Sequence, residues 1–398
     1  MGRTLFDKIW DAHRVSSLAS GEDLIAVDRV FLHERTGSVA LESLIASNRM
    51  PLDPDRVFCT MDHIVSTDEG RGRDDARTPG GGVFITATRA AAAKTGIHLI
   101  DVDSADQGIV HVISPELGIA QPGLTLVCPD SHTCSQGALG ALAWGIGSTD
   151  AEHAMATGTL RVSKPPQMRI RVDGRLADGI TAKDLILHII GQLGADGAKR
   201  CAVEFCGEAV EALDVEARLT LCNMAVEMAA FTAIVAPDQT TYDYLEGRRF
   251  AAKGADWEAA VAHWRTLTTD PDATFDFEHV FDASTVGHTV TWGTSPGQAG
   301  RLDGVSGGSA YMDLEDGASI RDLPIGGAFI GSCTNARITD LRAAASVLRG
   351  RRVADGVTAI CVPGSSAVRR EAEAEGLDRI FRDAGFEWGE AGCAFCFY

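Results

Sequence analysis

The sequence predicts an α/β fold with largely parallel strands, and three observations carry that prediction. Apolar strand-like runs alternate with helical ones through the N-terminal half. Several strand-like runs end at once on Asp, His, Ser or Gly, as in "FCTMDHIVST" and "TLVCPDSHT"; in open α/β sheets sites form at the carboxyl ends of strands. The 398 residues are 45% apolar and 23% charged, the composition of a globular chain long enough for two or three domains.

In chain order, "TLFDKIWDAHRV" reads as a helix and "DLIAVDRVFLH" as one strand. "SVALESLIASNR" is a helix, "RVFCTMDHIV" a strand, and "GVFITATRAAAAKTG" a helix ending at Gly96. "IHLIDVD" and "LTLVCPDSHT" are further strands. The two prolines of "VSKPPQMRIRVDGRL" mark a boundary, after which "AKDLILHIIGQLG" and "VEARLTLCNMAVEMAAFTAIV" read as helices. Residues 237–285 are polar and acidic, a peripheral stretch and linker. A third unit follows, with strand, tight turn and helix in "GAFIGSCTNARITDLRAAASVLRG" and again in "VTAICVPGSSAVRREAEAEG".

The formal net charge of −19 disfavours nucleic acid and anionic membrane surfaces as partners. No run approaches the ~18 apolar residues of a membrane span. The opening "MGRTLFDKIWDAHRV" lacks the apolar core of a secretory signal. The expectation is a cytoplasmic protein whose ten cysteines are mostly reduced and buried.

Four constellations carry candidate chemistry. Asp62 and His63 end a strand, and a carboxylate beside an imidazole sets its tautomer and raises its pKa, as a general acid requires. Asp130, Ser131 and His132 stand where a strand meets a Gly-rich turn, with His111 upstream; His111 alone is also compatible with a core histidine. Asn223 and Glu227 are four apart and share a face of an apolar helix, where a buried Glu needs a partner such as histidine; a solvent-facing stripe fits as well. Cys333 opens a helix after a strand, which favours thiolate, and Cys393 and Cys396 form a C-x-x-C pair near the end. Three such cysteines make a poor structural zinc site, which is closed and four-coordinate. A redox pair of the thioredoxin type would follow the first strand. Three thiolates on a cubic iron–sulfur cluster fit better, leaving a fourth iron open as a Lewis acid.

These pieces in this order resemble the aconitase superfamily, and within it the family of 3-isopropylmalate dehydratase large subunits. The markers are "GRTLFDKIWDAH", "TMDHIVST", "PDSHT", "GALGALAWGIGSTDAEHAMATGTL", "KDLILHIIG", "LCNMAVEMAA", "VTWGTSPGQ", "FIGSCTNARITDLRAAA" and "AEAEGLDRIFRDAGFEWGEAGCAFC". The resemblance implies an aconitase-like three-subdomain α/β/α architecture around a central cleft, divided as residues 1–165, 166–285 and 286–398. It implies a [4Fe-4S] cluster on Cys333, Cys393 and Cys396, and dehydration and rehydration of a hydroxy diacid, interconverting 2- and 3-isopropylmalate in leucine biosynthesis. His63 would protonate the departing hydroxyl, oriented by Asp62. The pairs Asp130–His111 and Glu227–His132 would hold the water and hydroxyl, with Ser131, Asn223 and Asn335 beside substrate or cluster.

Three departures qualify these expectations. The family's carbon-acid base is a serine on a swivelling domain that in the isomerases is a separate small subunit, so a heteromer is expected. "STDEGRGRDDARTPGGG" is Arg-rich, and Arg71, Arg73 and Arg77 are either solvated loop charges or carboxylate ligands. The family continues past its last cysteine with an arginine-bearing segment, whereas here the sequence ends at Tyr398, so the third subdomain is expected to be incomplete. Homoaconitate or citramalate as substrate, or a truncated non-catalytic paralogue acting as a binding protein, are the alternatives.

Overall fold

The computed structural model describes residues 2–302 and 323–397, with residues 396 and 397 described by backbone only. Its centre is a five-stranded, all-parallel sheet with the order His98–Ile100, Val57–Thr60, Arg29–His33, Thr125–Cys128, Leu142–Gly145. The chain starts at the middle strand, steps outward twice to one edge, then returns to the other side of the middle strand. That reversal puts the topological switch point between Arg29–His33 and Thr125–Cys128, where the carboxyl ends of neighbouring strands leave a crevice. Val57–Thr60 and Thr125–Cys128 are buried at every position, as strands covered on both faces must be. Phe31, Leu32, Phe58 and Val127 are buried here, each side chain contributing ~1.5–3 kcal/mol of apolar transfer. Helix Glu34–Ala46 packs between Gly82–Thr95 and Ser148–Thr157. Gly96 ends helix Gly82–Thr95 in the left-handed conformation, φ 73°, as its position in the sequence predicts.

A second parallel sheet has the order Thr232–Val235, Ala202–Cys206, Gln167–Asp173, Phe277–Asp282. Gly137 lies against it so closely that a Cβ there would sit 1.7 Å from the Ala233 carbonyl oxygen. A third, three-stranded parallel sheet, Gly327–Ile330, Thr358–Cys361 and Phe386–Trp388, has its own core around Leu341, Cys361, Phe381 and Trp388. It docks on the first sheet through main-chain bonds: Ile109 N–H to Gly364 O (2.9 Å), Ser366 N–H to Gln107 O (2.7 Å), Glu390 N–H to Thr67 O (2.9 Å) and Cys393 N–H to Asp62 O (2.8 Å).

Three local expectations need correction. "DLIAVDRVFLH" is two strands in two sheets, not one. Asp23–Ala26 pairs antiparallel with Arg14–Ser17 and Thr159–Val162, and Arg29–His33 joins the parallel sheet. Val27 N–H bonds Gly158 O while Asp28 N–H bonds Thr125 O, so adjacent residues answer to different strands and the chain turns between them. "VEARLTLCNMAVEMAAFTAIV" is a helix (Val215–Asn223), a 3-10 turn (Met224–Met228) and a strand (Thr232–Val235); Ala229, at φ 61°, breaks the run. Residues 237–285 contain helices Gln239–Leu245 and Ala255–Trp264 and the sheet strand Phe277–Asp282, so they are not merely a linker.

Candidate active site

The carboxyl ends of the sheet strands deliver the polar side chains. Beyond Val57–Thr60, the Asp62 carboxylate is fully buried. Its Oδ1 lies 2.7 Å from His63 Nδ1, and its Oδ2 accepts the Val110 N–H at 2.9 Å. Beyond Thr125–Cys128, Asp130 reaches back across the crevice, its Oδ2 3.2 Å from His63 Nε2 and its Oδ1 2.8 Å from His111 Nε2. Asp130 also caps the following turn by accepting the His132 N–H at 2.8 Å. Asp62, His63, Asp130 and His111 thus form one continuous chain of carboxylates and imidazoles.

Both ring nitrogens of His63 face carboxylates, the pattern of an imidazolium donating twice. Burial opposes that charge, but Asp62, the Cys393 sulfur and Asp130 outweigh it and hold His63 well above its ordinary pKa. Burial likewise opposes ionisation of Asp130, and His111 and His63 outweigh it, keeping that carboxyl well below the usual range. His132 Nε2 lies 3.1 Å from Glu227 Oε1, and that hydrogen bond lowers the Glu227 pKa. Glu227 arrives from the 3-10 turn, so it does not share an α-helical face with Asn223. Ser131 is at the open side of the cleft, its hydroxyl 3.2 Å from His132 Nδ1.

Cys333 and Cys393 are buried together with Ile109 and Val112; the side chain of Cys396 lies outside the described residues. Cys333 sits in a turn, five residues before helix Ile338–Leu348 begins, so a helix N-terminus does not act on its thiol. Asn223 does, donating from Nδ2 to Cys333 Sγ at 3.2 Å while its Oδ1 accepts from Thr334 Oγ1 at 2.9 Å. Asn335 turns away, donating to Thr220 Oγ1 (3.2 Å) and Asp340 Oδ1 (2.8 Å). Cys393 Sγ is 3.6 Å from Asp62 Oδ2 and 3.7 Å from His63 Nδ1. Ser332, before Cys333, and Ala394, after Cys393, both hold left-handed backbone at φ 73° and 51°, strain that clusters at functional sites. Cys134 is close by but serves as a thiol: burial pushes its pKa up to about 12, and its S–H donates to Asn223 O. The two described sulfurs, buried together and with the Asn223 N–H aimed at Cys333, fit ligands of an iron–sulfur group.

Each loop arginine has partners within the chain, Arg71 and Arg77 half-buried and Arg73 exposed. Arg71 donates to Ser66 O and Ala391 O, both at 2.7 Å, and to Gln107 Oε1 at 2.9 Å. Arg73 pairs with Asp101 at 2.5 Å. Arg77 donates to Thr67 Oγ1 and stacks on Phe395. Sequence reasoning missed His33, whose ring stacks on His63 with centroids 3.8 Å apart, and Glu34, whose carboxylate receives main-chain N–H groups of the Asp62 segment. Their signal was present, because "FLHERTG" is another strand ending on polar residues.

Comparison with known proteins agrees with this geometry. Residues 7–398 match the model of the aconitase family (aconitate hydratase). The chain is 47% identical to 3-isopropylmalate dehydratase large subunit 1 of Bradyrhizobium diazoefficiens, over 99% of this chain and 86% of that protein. This chain belongs to the aconitase family.

Proposed function

We propose that the chain is the large subunit of a 3-isopropylmalate dehydratase, a hydro-lyase that interconverts 2- and 3-isopropylmalate in leucine biosynthesis. The observation that carries this most is the carboxylate–imidazole chain Asp62–His63–Asp130–His111 running beside two buried thiols. Cys333, Cys393 and Cys396 would hold a [4Fe-4S] cluster, which when bound supplies a Lewis-acid iron for the substrate's hydroxyl and carboxylate.

The protein's own groups manage the protons. His63, doubly protonated between two carboxylates, can give its proton to a departing hydroxyl and take it back on rehydration. Asp62 orients that ring and keeps it charged. Asp130 ties His63 to His111, and the His132–Glu227 pair closes the other side, so water released in dehydration stays within hydrogen-bond reach. A serine on a small partner subunit would take the carbon-bound proton. The three subdomains divide near residues 165 and 285. A cytoplasmic location is supported by the lack, among the described residues, of any helix long and apolar enough to cross a membrane.

The test is anaerobic reconstitution of the chain with its small subunit and an assay on 2- and 3-isopropylmalate, homoaconitate and citramalate. Turnover fastest on the isopropylmalates is expected. Turnover confined to another diacid changes the substrate, and no turnover on any of them contradicts the assignment.

A further inference from the structure

The middle strand of the five-stranded sheet ends on His33 and Glu34, and neither has a role in the chemistry just described. They lie at the switch point, between the strand that leads to Asp62–His63 and the strand that leads to Asp130. Glu34 is fully buried. Its Oε2 accepts the Asp62 N–H at 3.1 Å, and its Oε1 accepts the Val65 N–H at 3.2 Å and the Ile64 N–H. One carboxylate therefore satisfies three consecutive-segment amides that no strand pairs. His33, also buried, lies face to face with His63 at 3.8 Å and 22°. Its Nε2 is 3.2 Å from Pro129 O and 2.8 Å from Thr36 Oγ1, so the ring is anchored to the segment that carries Asp130. The His63–Asp130 contact spans directly from one neighbouring strand end to the other.

Ligand atoms of His33, Glu34, Asp62 and His63 come within 4.8 Å of one another, but apart from His33 Nδ1 they already have partners. The Glu34 oxygens are taken by amides, His33 Nε2 by Pro129 and Thr36, and both His63 nitrogens by carboxylates. Burial and the His63 charge push the His33 pKa down to about 4, so the stack is a neutral ring on a charged one.

We propose that His33 and Glu34 are positioning residues for the His63 imidazole. Glu34 fixes the backbone of the Asp62–Val65 turn, and His33 is the platform that keeps the His63 ring in line with Asp130. Ångström-scale displacement of a reacting group costs ~10²-fold in rate, and the Glu34 bonds act with the Cys393 N–H bond to Asp62 O and the Arg77 N–H bond to Ile64 O to prevent it. This rests on the reading of His63 as the acid.

The test uses Glu34→Gln, His33→Gln and His33→Ala in the full chain, reconstituted and paired with its small subunit. An amide at position 34 places N–H against N–H at one of the three bonds. A kcat about 10²-fold lower is expected, with KM within about threefold and iron content unchanged. Histidine-ring NMR of the large chain supplies a readout independent of turnover: the His63 ring protons should shift downfield when the His33 ring is removed. Wild-type kcat with unshifted His63 signals overturns the proposal, and so does a kcat loss that lost iron fully accounts for. If Glu34→Gln does not fold, the His33 variants decide. If the wild-type pair turns over no hydroxy diacid, the function assignment fails and the NMR comparison still decides the positioning role.

Discussion

Arg71→Ala should loosen the grip on the C-terminal cysteines without touching a catalytic group. Arg71 joins the loop after Asp62 to the loop before Cys393 by bonds to Ser66 O, Ala391 O and Gln107 Oε1. Gln107 repeats the bridge, donating to Met61 O at 2.7 Å and Ala391 O at 3.1 Å. Removing the guanidinium deletes three charge-assisted bonds worth ~1.5–3 kcal/mol each. Gln107 still serves Ala391 O, and the space left by the shortened side chain admits water to Ser66 O, so the net loss is about 3 kcal/mol. At 1.4 kcal/mol per decade that is a roughly 10²-fold rise in opening of the Gly389–Cys393 loop. The assay is the rate at which a ferrous chelator bleaches the reconstituted chain. Arg71→Ala should bleach about 10²-fold faster, with Arg71→Lys between it and wild type because lysine can keep one bond but not the fork. An unchanged bleaching rate in Arg71→Ala would refute the strut.

Three further outcomes test the fold around the site. Arg218 is fully buried and forks onto Asp238 at 2.8 and 2.6 Å in the helix that ends at Asn223; Arg218→Met should cost about 3 kcal/mol in denaturant unfolding, and a change below ~1 kcal/mol would contradict the pair's role. Gly137→Ala should leave little soluble chain, because the added carbon meets a main-chain oxygen of the second sheet; a wild-type melting midpoint would contradict that contact. For His13, burial opposes protonation, but the Asp28 carboxylate and the Ile9 carbonyl outweigh it and raise the pKa. Its folded value then exceeds the unfolded value of about 6.5, so its stabilisation is complete below that pH and is lost as pH rises through the folded pKa. His13→Ala should therefore flatten the fall in melting midpoint on the alkaline side, and an unchanged slope would sink this.

The sheet and most of the site could be read from the chain because strand ends announce themselves. "TMDHIV" and "CPDSHT" stop an apolar run on a carboxylate next to an imidazole, and the sheet brings both ends to one crevice. What local pattern could not show was tertiary choice. Ala26 and Arg29 go to different sheets because Gly158 and Thr125 compete for adjacent amides. Glu227 reaches His132 from a 3-10 turn because α-helical geometry stops at Asn223, with Met224 at φ −82°, ψ 0°. Cys333 misses the helix N-terminus because its helix starts only at Ile338. Arg71 reads from sequence as a solvated loop charge or a carboxylate ligand, because two of its three partners are main-chain carbonyls, which carry no sequence signal. His33 and Glu34 escaped notice for a related reason: a positioning residue differs from a core residue only by what it touches.

In the proposed enzyme three thiols, not four, hold iron beside the Asp62–His63–Asp130–His111 chain. This is tested most directly by measuring iron and visible absorption after anaerobic reconstitution of Cys333→Ser, Cys393→Ser, Cys396→Ser and Cys134→Ser. Loss of the absorption in the first three and retention in Cys134→Ser is the predicted result. Full reconstitution of Cys393→Ser, or loss in Cys134→Ser, would contradict it.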